Sequence, residues 1–310
     1  LVSELEEKSI VVNDRGSKIM RLDGMKTCLM IAKSDGGFTY DTTDLAAVSY
    51  RLKDLQRDWI IYVIGNEQAD HVKAIAQAAK QLGIHDCSKT KIDHMSFGLM
   101  LNEKGKKIST SVGGQIKLKA LLDKAIDKAK LELKKRAEKT QIKYSEKELN
   151  DSAEKIGYST IKYYDMKQNR KGSYKFSYDF ILDPKGNTAV YLFYNYVRLC
   201  SLEKKLSLNK EKILDLISKE RIVLSHEKER LLLINLLKFN DILDEVVSDL
   251  ALNKLADYVY LVCVKFSEFF DECRIIDSEY EKSRTLLALL TKKMLDVSFD
   301  LLNLTQVERI

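Results

Sequence analysis

Pro184 is the only proline in the chain, and no glycine follows Gly186. From Ala189 to Leu304 apolar residues recur at helical spacing almost without interruption. A segment lacking both residues of tight turns buries such stripes helix on helix, so an all-α bundle is predicted there. Polar breaks and capping residues divide it into helices at roughly 189 to 206, 208 to 217, 226 to 239, 242 to 250, 253 to 273 and 278 to 303. Before the proline, strand-length apolar runs alternate with glycine turns and helical patterns. The Leu182-Asp-Pro-Lys-Gly-Asn-Thr188 stretch therefore marks a boundary between an α/β part, 1–185, and an all-α part, 186–310.

In the first part, a short helix leads to candidate strands Ile10–Val12 and Lys18–Leu22 around an Asp14-Arg-Gly turn. Thr27–Ala32 then reads as a buried strand and Asp35-Gly36-Gly37 as a sharp turn. Thr42 or Thr43 reads as the N-cap of a helix carrying Ala46, Val48 and Leu52. Tyr40 and Asp44 flank that cap. Asp44 either complements the helix dipole or pairs with a cationic ligand, for which guanidinium is the best geometric match. A second strand, Trp59–Ile64, runs into Gly65-Asn-Glu-Gln-Ala-Asp-His71 and a helix bearing Val72, Ile75, Ala79 and Leu82. Strand, turn and helix thus occur twice, which predicts βαβ units in a parallel sheet with ligands beyond its strand ends.

A third apolar segment, His94–Leu101, precedes a loop rich in lysine, hydroxyls and glycine, Asn102–Gly114. Such a loop can wrap phosphates or form a solvated hairpin. Ile116–Leu133 and Glu146–Ile156 follow as amphipathic helices, the second entered through Ser145 as N-cap. In Ile161–Gly172 aromatic residues alternate with bases. The first bundle helix carries Tyr191, Tyr194, Tyr196 and Arg198, a set that either stacks on single-stranded RNA or seals a helix seam.

Composition bounds the rest. A chain of 310 residues, 45% hydrophobic, can bury a core in each of two domains. None of Cys28, Cys87, Cys200, Cys263 and Cys273 forms a CxxC pair, so free thiols in a reducing compartment are expected. His71, His85 and His94 lack ligand spacing, so no metal site is expected. No apolar run approaches membrane-spanning length and no signal peptide is seen, so a cytoplasmic location without membrane association is expected. The net charge of +6 is uneven: residues 200–310 sum to about −3 and the preceding ones to about +9, which turns the first part toward any polyanion. The opening at Leu1, inside an amphipathic pattern with Leu5 and Ile10, leads us to expect part of a longer polypeptide.

Taken in order, these segments resemble the arginyl-tRNA synthetases, a class I aminoacyl-tRNA synthetase family, over nearly the whole chain. Ser34–Ala47 is similar to the family's arginine-pocket segment, and Ile61–His71 to its next strand and turn. Met95–Leu101 with Gly105-Lys-Lys-Ile-Ser-Thr-Ser is similar to its third strand and ATP loop. Ile161–Asp165 and Gly186–Tyr194 are similar to its passage into the anticodon bundle, and the chain closes in Val307-Glu-Arg-Ile. The resemblance implies the second half of a Rossmann-type nucleotide-binding domain followed by a helical anticodon-binding domain. It implies that Tyr40, Asp44 and Gln68 hold L-arginine, and that Gly65, Glu67, His71, Met95, Lys106, Lys107 and Ser109 serve ATP. Lys107–Ser111 stands where class I enzymes have Lys-Met-Ser-Lys-Ser, with Thr110 replacing the second lysine. Tyr191, Tyr194 and Arg198 would meet tRNA(Arg). ATP with Mg2+ would enter as substrate, with no tightly bound cofactor, in a monomer or homodimer. The His-Ile-Gly-His-type signature of the family's first half is absent from residues 1–310. The competing expectations are a ligase whose first half lies outside this sequence and a tRNA-binding paralogue without catalysis.

Overall fold

The computed structural model describes residues 2–102, 105–106, 118–141 and 143–310, apart from the Thr140 side chain. The chain divides into two compact units, Leu1–Gly98 and Leu99–Ile310.

The first unit opens with α1 (Val2–Glu7) and the strands β1 (Val11–Asp14), β2 (Ser17–Arg21) and β3 (Cys28–Ala32). Arg15 and Gly16 join β1 to β2 with both φ angles positive, 51° and 85°, the mirror-image turn whose twist suits a two-residue hairpin. The Asn13 side chain caps that turn by accepting the Gly16 amide at 3.0 Å. Next come α2 (Tyr40–Ser49), which widens into a π-helical turn over Tyr50–Asp54, then β4 (Trp59–Tyr62), α3 (Ala69–Gln81) and β5 (Lys91–His94).

The expected parallel sheet forms only from the second strand-turn-helix unit. β4 and β5 pair in parallel, Trp59 opposite Lys91 through Tyr62 opposite His94, with α3 as the crossover. β3 instead pairs antiparallel with β2, Met20 opposite Leu29. A short turn joins β2 to β3, so the local antiparallel pairing closes first, and a parallel pair would need a long crossover. β3 is buried only at alternate positions until its end, as a sheet with one covered face requires. Leu5, Met20, Leu29 and Ile31 meet Leu45 and Val48 of α2 and Ile75 and Ala78 of α3 in the core of this unit.

The second unit begins with β6 (Met100–Leu101), α4 (Leu118–Thr140), α5 (Glu146–Met166), β7 (Tyr174–Lys175, parallel to β6) and α6 (Tyr178–Ile181). Six helices follow: α7 (Ala189–Lys205), α8 (Lys210–Lys219), α9 (Glu227–Leu237), α10 (Phe239–Asp249), α11 (Leu252–Glu272) and α12 (Glu281–Leu301). Each lies within one turn of its expected bounds. Phe193, Phe266, Phe269 and Phe299 form the fully buried aromatic centre of the bundle. Cys200, Cys263 and Cys273 are buried and burial raises all three thiols, whereas Cys28 and Cys87 are exposed.

Ser145 caps α5 as expected, its Oγ accepting the Glu148 amide at 3.2 Å while Glu148 Oε2 accepts the Ser145 amide at 2.8 Å. The helix runs past Ile156 because Gly157 is a packing residue in the seam with α4. A Cβ at Gly157 would lie 2.8 Å from Cα and N of Ile126. Alanine normally gains helix stability over glycine by about 0.5–1 kcal/mol. Gly157→Ala is expected to do the reverse, losing about 1–3 kcal/mol as α4 is pushed away. Denaturant unfolding reads the sign, and a gain would show that the two helices separate freely.

Candidate functional site

The start of α2 is stapled to β3 by two threonines. The Thr39 hydroxyl donates to the Met30 carbonyl and the Thr42 hydroxyl to that of Ile31. Thr39, with φ −110° and ψ 175°, is the N-cap in place of Thr42 or Thr43, and Thr42 lies buried one turn further on. This corrects the role of the acids. Asp41 occupies the first turn, where the dipole acts, and its Oδ2 accepts the Met30 amide at 2.8 Å. Asp44 falls in the second turn, so dipole complementation belongs to Asp41 and leaves Asp44 without that role.

Asp44 faces α3. His71 Nε2 donates to Asp44 Oδ2 at 2.6 Å, and the Nδ1 of the same ring lies 3.4 Å from Asp41 Oδ1. At the carboxyl end of β4, the Tyr62 hydroxyl receives Arg51 Nη1 at 3.2 Å from the π-helical turn. Burial raises the Tyr62 phenol; the nearby Asp44 charge adds to this and Arg51 opposes it. The structure thus joins His71, expected with ATP, to Asp44, expected with arginine, and adds Asp41, Arg51 and Tyr62. Tyr40 and Gln68 stand exposed at the starts of α2 and α3, and among the described residues neither side chain bonds to Asp44.

The turn after β4 is tied to the strand end beside it. The Met95 amide donates to the Tyr62 carbonyl at 2.8 Å, His94 Nε2 to that of Ile64 at 3.1 Å, and the Asn66 amide to that of Phe97 at 3.3 Å. Gly65 has ordinary extended backbone, φ −57° and ψ 151°. What a side chain there would meet is the Glu67 carboxylate, both of whose oxygens lie 2.5 Å from the site of a Cβ. Lys106 is exposed and its backbone closes a turn with Asn102. Lys107 and Ser109 lie outside the described residues.

Along α7 the aromatic set divides. Tyr196 is buried with its hydroxyl on Asp296 at 2.7 Å, sealing the bundle. Tyr191 is half-buried, edge-on to Tyr260 at 5.4 Å. Tyr194 is 38% exposed, with the guanidinium carbons of Arg198 and Arg136 at 4.6 and 5.5 Å from its ring centre. Tyr194, Arg198 and Lys205 line a pocket of about 380 Å³ with Phe270 and Ile310. No local spacing could place Phe270 or Ile310 beside α7.

A family model for the catalytic domain of class I tRNA synthetases (R) matches residues 1–178, and one for the DALR anticodon binding domain matches residues 192–310. The chain belongs to the class I arginyl-tRNA synthetase family. Across its whole length it is 38% identical to the probable cytoplasmic arginine–tRNA ligase of Drosophila melanogaster, and 37% to the chloroplastic/mitochondrial arginine–tRNA ligase of Arabidopsis thaliana, covering 48% of each. It therefore spans about half the length of the curated relatives it matches. Among solved structures it is similar throughout to the arginyl-tRNA synthetase of Plasmodium falciparum, with a TM-score of 0.85 and 32% identity, covering 51% of that chain. The Thermus thermophilus arginyl-tRNA synthetase shares the fold, with a TM-score of 0.84 at 17% identity. In family terms, the Asp41, Asp44 and His71 cluster falls within the class I segment and Tyr194 with its pocket within the DALR segment.

Proposed function

We propose that this chain is part of an ATP-dependent arginine–tRNA ligase that forms arginyl-adenylate and passes arginine to the end of tRNA(Arg). The observation that carries this reading is the Asp44 carboxylate. Its side chain is 42% exposed beside the end of β4, and among the described residues it is ion-paired to His71 and to no lysine or arginine. A guanidinium supplies the missing cation and matches a carboxylate in geometry. Tyr40 and Gln68, exposed at neighbouring helix starts, are the groups available to orient it.

On the nucleotide side, Gly65, Glu67 and the chain at Met95 border the ATP, whose Mg2+ arrives with it as substrate. The Met95 amide is already committed to Tyr62, which leaves its carbonyl and side chain for the nucleotide. Lys106, with Lys107 and Ser109, is assigned to the phosphates. In the reaction, the arginine carboxylate attacks the α-phosphorus and pyrophosphate leaves; the tRNA terminal ribose then takes the arginyl group. What the chain supplies is position and charge neutralisation. The functional boundary at 185/186 is supported by the gap between the two family matches. The names of the insect and vertebrate relatives support a cytoplasmic site.

The test is arginine-dependent ATP–pyrophosphate exchange and charging of tRNA(Arg) by the complete protein. Binding of tRNA with neither activity would replace the ligase by a binding protein. The tRNA contact is assigned to Tyr194 and Arg198, with Tyr191 behind them. Tyr194→Ala is expected to weaken tRNA binding by on the order of 1–3 kcal/mol, roughly 5- to 150-fold, with unchanged thermal stability. Tyr191→Ala, which strips a ring packed on Tyr260, is expected to lower the melting temperature. Filter binding and melting curves on the two variants separate these effects.

A further inference from the structure

We infer that Asp41 and His71 form a positioning relay that orients the Asp44 carboxylate toward the amino-acid substrate, which places His71 on the arginine side of the reaction; this rests on the reading of Asp44 given above. A carboxylate on a partly exposed helix face turns freely about two bonds, whereas a guanidinium contact requires its plane to be fixed beforehand. The structure links it to a strand through two hydrogen bonds and one close approach between them. The Met30 amide of β3 holds Asp41 Oδ2 at 2.8 Å, Asp41 Oδ1 faces His71 Nδ1 at 3.4 Å, and His71 Nε2 holds Asp44 Oδ2 at 2.6 Å. Asp41 and Asp44 stand three apart on α2, so both reach the same side of α3, and the ring between them keeps two like charges from facing each other directly.

Two consequences follow from the atoms involved. Both nitrogens of His71 face carboxylates within the relay, Nε2 hydrogen-bonded to Asp44 and Nδ1 turned to Asp41. Asp44 Oδ2 is engaged, so Oδ1 is the oxygen presented to the guanidinium. Neither acid nor imidazole need touch ATP, and only Asp44 need touch arginine. Asp41 and His71 are thus positioning residues, and their loss is expected to act on the affinity for one substrate only.

The experiment compares His71→Ala, His71→Gln, Asp41→Ala, the His71→Ala/Asp41→Ala double variant and Asp44→Asn in the complete protein, measuring KM for arginine and for ATP by pyrophosphate exchange. His71→Ala and Asp41→Ala are each expected to raise the arginine KM about tenfold, with the ATP KM within about twofold. The double variant is expected to match His71→Ala alone, because the two residues act in series. His71→Gln keeps one N–H for Asp44 and is expected to recover most of the affinity, which a general loss of folding would not allow. A rise in the ATP KM with the arginine KM unchanged overturns the relay, as does full additivity in the double variant. If Asp44→Asn alone raises the arginine KM and the other variants do not, the relay falls and the arginine pocket stands. If Asp44→Asn also spares arginine, both fall.

Discussion

Asp44→Asn in the complete protein is expected to weaken arginine binding by about a hundredfold while leaving ATP binding within about twofold. A hydrogen bond to a charged group contributes about 1.5–3 kcal/mol, and the upper part of that range corresponds to about two powers of ten. The geometry adds a second penalty. His71 Nε2 donates at 2.6 Å, so the asparagine turns its carbonyl oxygen to the ring. Its NH2 then points where the guanidinium donors must sit, and a donor meets a donor. Titration calorimetry with arginine and with an ATP analogue reads both affinities directly. Unchanged arginine affinity would remove the pocket assignment.

The second large effect lies in the bundle. Glu229 is 1% exposed, and Arg284 Nε donates to its Oε1 at 2.6 Å. Its Oε2 accepts the backbone amides of Ser225 at 2.6 Å and His226 at 3.0 Å, so one carboxylate both caps α9 and anchors α12. Arg284 reaches onward to the Arg274 carbonyl at 2.6 Å, behind α11. Glu229→Ala leaves the guanidinium facing an emptied site and the cap unmade, and is expected to cost about 3–5 kcal/mol. Equilibrium unfolding in denaturant measures this, and a loss below about 1 kcal/mol would show that water restores the contacts. Burial by itself pushes this carboxyl up, yet the Arg284 bond, the two amides and the Arg284 charge outweigh it and hold it below the ordinary range. The stability it supplies is therefore present above about pH 4.3, the unfolded value, and is lost as pH falls through the lower folded one. In Glu229→Ala that part of the acid sensitivity disappears.

The bundle helices were legible because their signal is local. A stripe repeating every three or four residues, with no glycine or proline to interrupt it, says where helices run from Ala189 to Leu304. The capping box at Ser145 and Glu148 is likewise a pattern four residues long. Thr39 was harder to see, since Thr42 and Thr43 carry the same hydroxyl, and the choice depends on carbonyls of β3 that meet Thr39 and Thr42 only after folding. The partner of β3 is hidden in the sequence for a similar reason: its apolar run suits either pairing. At the site, Asp44 was legible as a carboxylate beside a strand end, but its contact with His71 spans 27 residues. No spacing rule reaches across a strand and two turns. The division of labour among Tyr191, Tyr194 and Tyr196 was equally hidden, because it depends on Tyr260 and Asp296 of other helices.

The placement of the cysteines makes the chain its own reporter. Both exposed thiols, Cys28 and Cys87, belong to the first compact unit; the three in the second are buried, their thiols raised by burial and so kept protonated. A maleimide dye added under native conditions colours the Leu1–Gly98 unit and spares the bundle. Once those two sites are blocked, further labelling within residues 1–310 follows opening of the bundle, so its rate reports that opening without an engineered probe.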